Sequence, residues 1–227
     1  IFKLLARKTS PQWILEGDIK GCFDHISHEW MLGNIPTDKR IMRQFLKCGY
    51  VDRRTLFPTE EGSPQGGLIS PTYANLTLDG MEELLLKKYS ASSTGYTHPN
   101  YNKEKVHLCR YADDFIVTAE NRETLLEIQQ AIEKFMEERG LKLLDEKTVI
   151  TNINDGFDFL GWNFRKFKGK LLIQPSRKSK QKVTKSLSRT IKYYHEANQE
   201  LLIIKLNQIT RGWAEYHHCA CAKKTYA

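Results

Sequence analysis

The 227 residues carry 35 Lys/Arg against 27 Asp/Glu, a net charge of +8, with 40% hydrophobic and 11% aromatic residues. That composition excludes a disordered or low-complexity chain and is enough for one large or two small domains. No apolar run approaches the roughly 18 residues of a membrane span, and five scattered cysteines, an odd number, argue for a reducing cytoplasmic setting over a disulfide framework.

The chain begins at Ile1 without a signal-peptide pattern and reads as a segment of a longer protein. Its first predicted strand, Trp13–Glu16, runs into the polar turn "GDIKGCFDHI". "SHEWMLGNI" and "DKRIMRQFLKCGY" are predicted short helices with Ser27 and Asp38 as N-caps. The Gly/Pro loop "TEEGSPQGGLISP" feeds one predicted helix, Thr72–Tyr89, with Leu76, Met81, Leu84 and Leu85 inward. Ser90–Lys105 is polar and reads as a long loop.

Two β-type runs, Val106–Cys109 and Phe115–Thr118, flank "RYADD". A helix capped by Asn121 then extends to about Arg139. Leu125, Ile128, Ile132 and Phe135 fall on one face, and Gly140 ends it. Thr148–Asn152 and Phe157–Phe164 are predicted strands, and "FKGKLLIQPS" a hairpin closed at Lys168-Gly169.

Ser179–Ala197 is predicted helical. Val183, Leu187, Ile191 and Tyr194 share one face; Lys178, Lys182, Lys185, Arg189 and Lys192 share the opposite one. Solvated faces usually mix signs, yet no acid occurs from Trp162 to His195. From Trp162 onward there are 15 Lys/Arg and three acids, so a tail of +12 follows a body of −4. This asymmetry points to a polyanionic partner such as nucleic acid. "HHCAC" (His217–Cys221) superficially suggests a metal site, but its spacing is wrong for zinc and it reads as packing at a helix end.

Adjacent aspartates inside an apolar pattern need an explanation, because ionised carboxylates are rarely buried unpaired. Neighbouring side chains on a strand point to opposite faces, so Asp113 and Asp114 serve one site only if the chain turns there. The flanking runs predict a hairpin with the pair at its tip. Asp18 stands in a matching context after the strand Trp13–Glu16. Carboxylates converging from strand ends suit Mg²⁺, and two such ions roughly 3.5–4 Å apart serve in-line phosphoryl displacement. On spacing alone an aspartate-rich turn explains the pair as well.

"ILEGDIKGCFDHI", "EGSPQGGLISPTYANLTLDGMEEL" and "YADD", in that order, resemble reverse transcriptases, above all the bacterial group II intron-encoded reverse transcriptase/maturases. "GFDFLGWNF" and "LNQITRGWAEYHHCACAKKTY" extend the resemblance over essentially the whole chain. It implies an α+β fold: an antiparallel palm sheet backed by helices, with a ferredoxin-like core, over residues 1–164. A basic helical thumb and the start of the maturase domain follow over 165–227. It implies that Asp18, Asp113 and Asp114 hold two Mg²⁺ (Mn²⁺ being an alternative). Phe23 becomes an aromatic gate against the ribonucleotide 2′-OH. Gln65 and Gly66 line the nucleotide pocket, and Lys147 assists the leaving pyrophosphate. Phe159, Leu160, Gly161 and Trp162 become the primer grip, with Lys178, Lys182, Lys185, Arg189 and Lys192 on the RNA.

The implied function is RNA-directed DNA synthesis from deoxynucleoside triphosphates on an intron RNA template, from a DNA or RNA primer, with assistance to intron splicing and mobility. The alternatives are a non-catalytic RNA-binding maturase and an inactive truncated fragment. In the family, basic fingers precede the first palm motif. Here only Lys3, Arg7 and Lys8 supply positive charge there, so this segment alone is expected to polymerise poorly.

Overall fold

The computed structural model describes residues 1–52, 55–57, 59–63, 67–92, 94–98, 101–196 and 198–222. The chain forms two compact units. One is Thr9–Thr151 with Ile1; the other is Asn152–Ala227 with Phe2–Lys8.

Helix α1 (Phe2–Leu5) belongs to the second unit, and strand β1 (Trp13–Gly17) opens the first. Three short helices follow: α2 (Cys22–His25), α3 (His28–Asn34) and α4 (Lys39–Lys47). The expected caps are in place. Ser27 Oγ accepts from Trp30 N, and Asp38 accepts from Arg40 N and Ile41 N, satisfying amide groups that have no partner within the helix. A two-stranded ribbon, β2 (Tyr50–Asp52) with β3 (Thr55–Phe57), precedes the Gly/Pro loop.

The expected single helix over Thr72–Tyr89 is two helices, α5 (Ser70–Leu78) and α6 (Met81–Tyr89). Asp79 is extended (ψ 147°) and Gly80 is left-handed (φ 90°), which stops the i→i−4 ladder. Met81 and Leu85 are buried, while Leu76 and Leu84 are partly buried against the core. The Ser90–Lys105 region carries local order of its own. Asn102 brackets Val106 with two 2.8 Å bonds, one from its amide to Val106 O and one from Val106 N to its carbonyl.

Strands β4 (His107–Tyr111) and β5 (Asp114–Ala119) form the expected hairpin. Helix α7 (Arg122–Glu137) buries Leu125, Ile128, Ile132, Phe135 and Met136 along one stripe. Truncating one of these to Ala costs on the order of 2–5 kcal/mol. Asn121 does not cap α7 through its side chain; its amide donates to Glu104 Oε2 instead. A 3₁₀ turn (Asp145–Lys147) leads into β6 (Val149–Asn152).

The sheet order is β4-β5-β1-β6, with α5 and α6 between β1 and β4 and α7 between β5 and β6. That is the β-α-β-β-α-β order of a ferredoxin-like core. Buried Arg139 ties three helices around it. Nε donates to Thr77 O, Nη1 donates to Phe135 O, and the guanidinium lies over the rings of Phe135 (3.4 Å) and Trp30 (4.4 Å).

The second unit is built on a three-stranded antiparallel sheet, β7 (Phe157–Phe159), β8 (Trp162–Phe167) and β9 (Lys170–Pro175). The expected strand Phe157–Phe164 is therefore a tight hairpin. It turns at Leu160 (φ 49°) and Gly161 (φ 80°), with Phe159 opposite Trp162. The next hairpin closes at Lys168-Gly169 as expected. Buried Lys166 donates to Arg7 O at 2.9 Å, fastening the segment after α1 to this sheet. Two long helices finish the unit, α8 (Arg177–Tyr193) and α9 (Gln199–His217). Among the described residues no helix is long and apolar enough to cross a membrane.

Candidate active site

β1 and β5 pair antiparallel, and their ladder closes on Gly17 opposite Phe115. Asp18 and Asp114 are each the next residue beyond that pair, so register alone brings them to one end of the sheet. Asp113 is one residue further, in the turn that closes β4 onto β5 after Tyr111 pairs with Asp114. Ala112 takes the left-handed conformation (φ 54°) that makes this turn tight. The predicted hairpin with the pair at its tip is thus the one observed.

Gly17 has a steric role that the sequence did not reveal. A β-carbon there would sit 2.2 Å from Phe115 Cζ, because the fully buried Phe115 ring lies across the strand just before Asp18.

Asp18 O accepts from Leu144 N, Ile19 bridges Leu143, and Lys20 N donates to Lys142 O. This pinned segment delivers Lys147, whose Nζ is paired with Asp18 Oδ2. The pair is asymmetric: the Asp18 side chain is 16% exposed and that of Lys147 62%. Its hydrogen bond and charge contact with Asp18 hold Lys147 above its ordinary value, with Asp114 and Asp113 adding to the effect. Partial burial pushes the Asp114 carboxyl up, and the charges of Asp113 and Asp18 push it further against the opposing Lys147.

The donor set fits a hard divalent cation in its chemistry. It offers carboxylate oxygens only, and the mutual repulsion registered at Asp114 is the excess negative charge that such a cation relieves. Among the described residues, no group of three or more His, Cys, Asp or Glu stands in an arrangement that could hold a metal ion.

Beside Asp113 is an apolar recess of about 40 Å³ lined by Cys22, Phe23, Pro71, Ala74, Asn75, Leu78, Ala112 and Asp113. Phe23 forms part of that wall and also packs against the core. Burial, with Asp113 nearby, pushes the Cys22 thiol up to about 12, so it stays neutral. Arg110 and Asn75 are participants that sequence reasoning missed. Arg110 Nη1 donates to Asn75 Oδ1 (3.0 Å) and to Ala112 O (3.2 Å), fastening the aspartate turn to α5. The only sequence signal was a cation next to an otherwise apolar run.

Gln65 and Gly66 lie outside the described residues. The flanks of their loop are stitched together by a 2.7 Å bond from Ser63 Oγ to Ser70 Oγ, both buried. Ser63 N donates to Phe23 O, and Gly62 N donates to Ile26 O. A β-carbon on Gly62 would meet Phe23 O at 2.3 Å, so this approach requires glycine.

The remaining candidates belong to the second unit. Phe159, Leu160, Gly161 and Trp162 are the β7–β8 turn and its flanking pair. Lys178, Lys182, Lys185, Arg189 and Lys192 are all exposed on α8, whose other face half-buries Val183 and Leu187. His217, in the "HHCAC" stretch, is buried and packs edge-on against Trp162 at 4.4 Å.

Residues 2–164 match the family "Reverse transcriptase (RNA-dependent DNA polymerase)", and residues 180–227 match "Group II intron, maturase-specific domain". The group II intron-encoded protein LtrA of Lactococcus lactis is 29% identical, over 68% of this chain and 35% of that protein. Protein YkfC of Escherichia coli is also 29% identical, over 68% of this chain and 47% of its own length. Among solved structures, apo telomerase from Candida tropicalis aligns with a TM-score of 0.58 at 16% identity, over 89% of this chain and 36% of that one. Telomerase from Candida albicans with a telomeric RNA fragment gives 0.55 at 13% identity, over 91% and 39%. At such identities the likeness is one of fold. The chain spans between a third and a half of the length of these curated relatives.

Proposed function

Since the chain belongs to the reverse transcriptase family, and carries a group II intron maturase-specific domain behind it, we propose that it is the palm and thumb portion of an RNA-directed DNA polymerase of a group II intron. The observation that carries this reading is that Asp18, Asp113 and Asp114 stand at the same end of the sheet, and they are the residues to which the family resemblance assigns the catalytic carboxylates. In this reading residues 1–164 do the work of the palm and 165–227 that of the thumb and the start of the maturase domain.

The three aspartates would hold two Mg²⁺, or Mn²⁺ in their place. When bound, such ions neutralise phosphate charge and activate the primer 3′-hydroxyl. The chain's own residues supply position and protons. The primer 3′-hydroxyl gives up its proton to solvent, its oxygen attacks the α-phosphorus of a deoxynucleoside triphosphate, and the phosphorus–oxygen bond to pyrophosphate breaks. Lys147, kept protonated by its acidic neighbours, can give a proton to the departing pyrophosphate. Phe23, in the wall beside Asp113, would fill the space a 2′-hydroxyl needs. Gln65 and Gly66 would line the nucleotide pocket from the loop whose leading end is stitched to α2. Phe159, Leu160, Gly161 and Trp162 would seat the primer end.

The exposed basic stripe of α8 suits a partner recognised by its phosphate backbone, the template–primer duplex or intron RNA. The work would take place in the cytoplasm.

A second reading has support of its own. The match of residues 180–227 to a maturase-specific domain, together with the stripe, favours an RNA-binding splicing cofactor. Primer extension on an RNA template and intron splicing, measured in the same preparation, test both. Extension that depends on Asp18, Asp113 and Asp114 supports the polymerase. Splicing assistance without any extension supports the cofactor alone.

A further inference from the structure

The Leu160-Gly161 turn is held from outside its own hairpin. In a two-residue turn the two central carbonyl groups have no partner in the ladder. Here both are taken. Gly161 O accepts from Ser176 N at 2.9 Å, and Leu160 O accepts from the hydroxyl of Tyr216 on α9 at 2.7 Å. Leu160 (φ 49°) and Gly161 (φ 80°) both take the left-handed conformation that a two-residue hairpin turn requires, as Lys168 (φ 50°) and Gly169 (φ 75°) do in the next hairpin, but this turn has partners from outside. The surroundings are specific. Trp162, the first residue after the turn, packs against the Tyr216 ring at 5.5 Å and against His217 at 4.4 Å.

The end of α9 is itself fixed. Trp213 Nε1 donates to Ser179 Oγ at 3.1 Å, and the same hydroxyl is hydrogen-bonded to His217 Nε2 at 3.0 Å. Beyond α9, Cys221 N donates to Ile173 O of β9. The helix and the residues just after it thus grip the turn, the start of α8 and the sheet that carries the turn. This also accounts for the "HHCAC" stretch, whose first histidine is a structural wedge.

We propose that Tyr216 is a positioning residue for the primer end: its hydroxyl, delivered by α9 from the maturase-specific segment, sets the Leu160-Gly161 turn in the geometry that seats the primer 3′ terminus. The proposal rests on the reading of that turn as the primer grip. It makes α9 a working part of polymerisation.

The test is a double-variant comparison that needs binding alone. A DNA primer carrying 2-aminopurine at its 3′ terminus is annealed to an RNA template. Its overall affinity and the fluorescence that separates seated from free ends are measured for wild type, Tyr216→Phe, Gly161→Ala and the double variant. Tyr216→Phe keeps the ring packing and deletes one hydrogen bond. It is expected to reduce the seated fraction about three- to tenfold, the effect of one neutral hydrogen bond, while duplex affinity stays within a factor of two or so because α8 still neutralises the phosphates. Gly161→Ala strains the turn directly and should act the same way, and the double variant should be less than additive. If Gly161→Ala unseats the end and Tyr216→Phe behaves as wild type, the role of Tyr216 is overturned while the primer-grip reading stands. If neither variant changes the seated fraction, the primer-grip reading itself fails, and the proposal with it.

Discussion

Lys147 and Asp18, 129 residues apart in sequence, are joined by an ion pair at the end of the palm sheet. The ammonium occupies one oxygen of a carboxylate proposed to hold a divalent cation. A cation arriving there must displace it and also meets its charge. Lys147→Gln removes both obstacles. Mn²⁺ titration in the absence of nucleotide should therefore show tighter binding, by up to about fivefold, the scale of an exposed pair. Turnover in a polymerising preparation should fall, because the proton donor is gone. Unchanged Mn²⁺ affinity would mean that the pair does not compete with the metal site.

Asp114 supplies a pH test. Its carboxyl is pushed above the ordinary aspartate value by burial and by the charges of Asp113 and Asp18. A raised value in the folded state means that the fold favours the neutral form. Relative stability from this group is therefore present below the unfolded value of 3.8 and is lost as pH rises through the higher folded value. Asp114→Asn, measured without divalent ions, should melt at a higher temperature than wild type at pH 7, and the advantage should vanish toward pH 3–4, roughly the range of the unfolded carboxyl. An advantage that persisted unchanged into acid would assign the effect to something other than charge.

The sequence made local features legible and left long-range ones hidden. Ser27 and Asp38 were readable as caps because an N-cap is decided within three residues. The buried stripe of α7 was readable for the same reason. Asn121 looked like a cap too, but Glu104, distant in sequence, takes its amide. "GFDFLGWNF" alternates like one strand, and Leu160 is a poor turn residue by type. Its left-handed backbone is what a two-residue hairpin turn requires, and the bonds from Tyr216 to Leu160 O and from Ser176 to Gly161 O that hold the turn come from residues no local pattern announces. The break at Asp79-Gly80 had a local signal in the Asp-Gly dipeptide itself, which was outweighed by the apolar residues on either side. At the site, the aspartates could be named from their motifs. Their meeting depends on the β1–β5 register, and on the Phe115 ring that only Gly17 can accommodate.

Phe23 is the test of sugar choice. It lines the recess beside Asp113 and Ala112 while also packing on the core. Phe23→Val shortens the wall and should raise ribonucleotide incorporation relative to deoxynucleotide about tenfold or more, in line with an interaction worth ~1–3 kcal/mol. Competition between the two nucleotides on one template measures it. Equal discrimination by the variant, with activity retained, would make Phe23 a packing residue.

The stripe on α8 makes an electrostatic prediction. Lys182, Lys185, Arg189 and Lys192 are exposed, so replacing all four with Gln should leave the fold intact and weaken RNA binding whatever its sequence. Each phosphate that is no longer neutralised should flatten the slope of log K against log salt by ~0.7–0.9. A slope equal to that of wild type would make the stripe a solvated surface.

The central claim is that the aspartates at the end of β1 and β5 perform nucleotidyl transfer, and Asp113→Asn addresses it most directly. In a preparation that extends a DNA primer on an RNA template, the extension rate and the template–primer affinity are measured side by side for wild type and variant. Asp113 lies in the turn of the first unit and the basic stripe in the second. The expected result is loss of extension by at least about 10³-fold, ~4 kcal/mol of barrier, with affinity within a few fold of wild type. Extension by Asp113→Asn at the wild-type rate would contradict the assignment of this site as the polymerase centre.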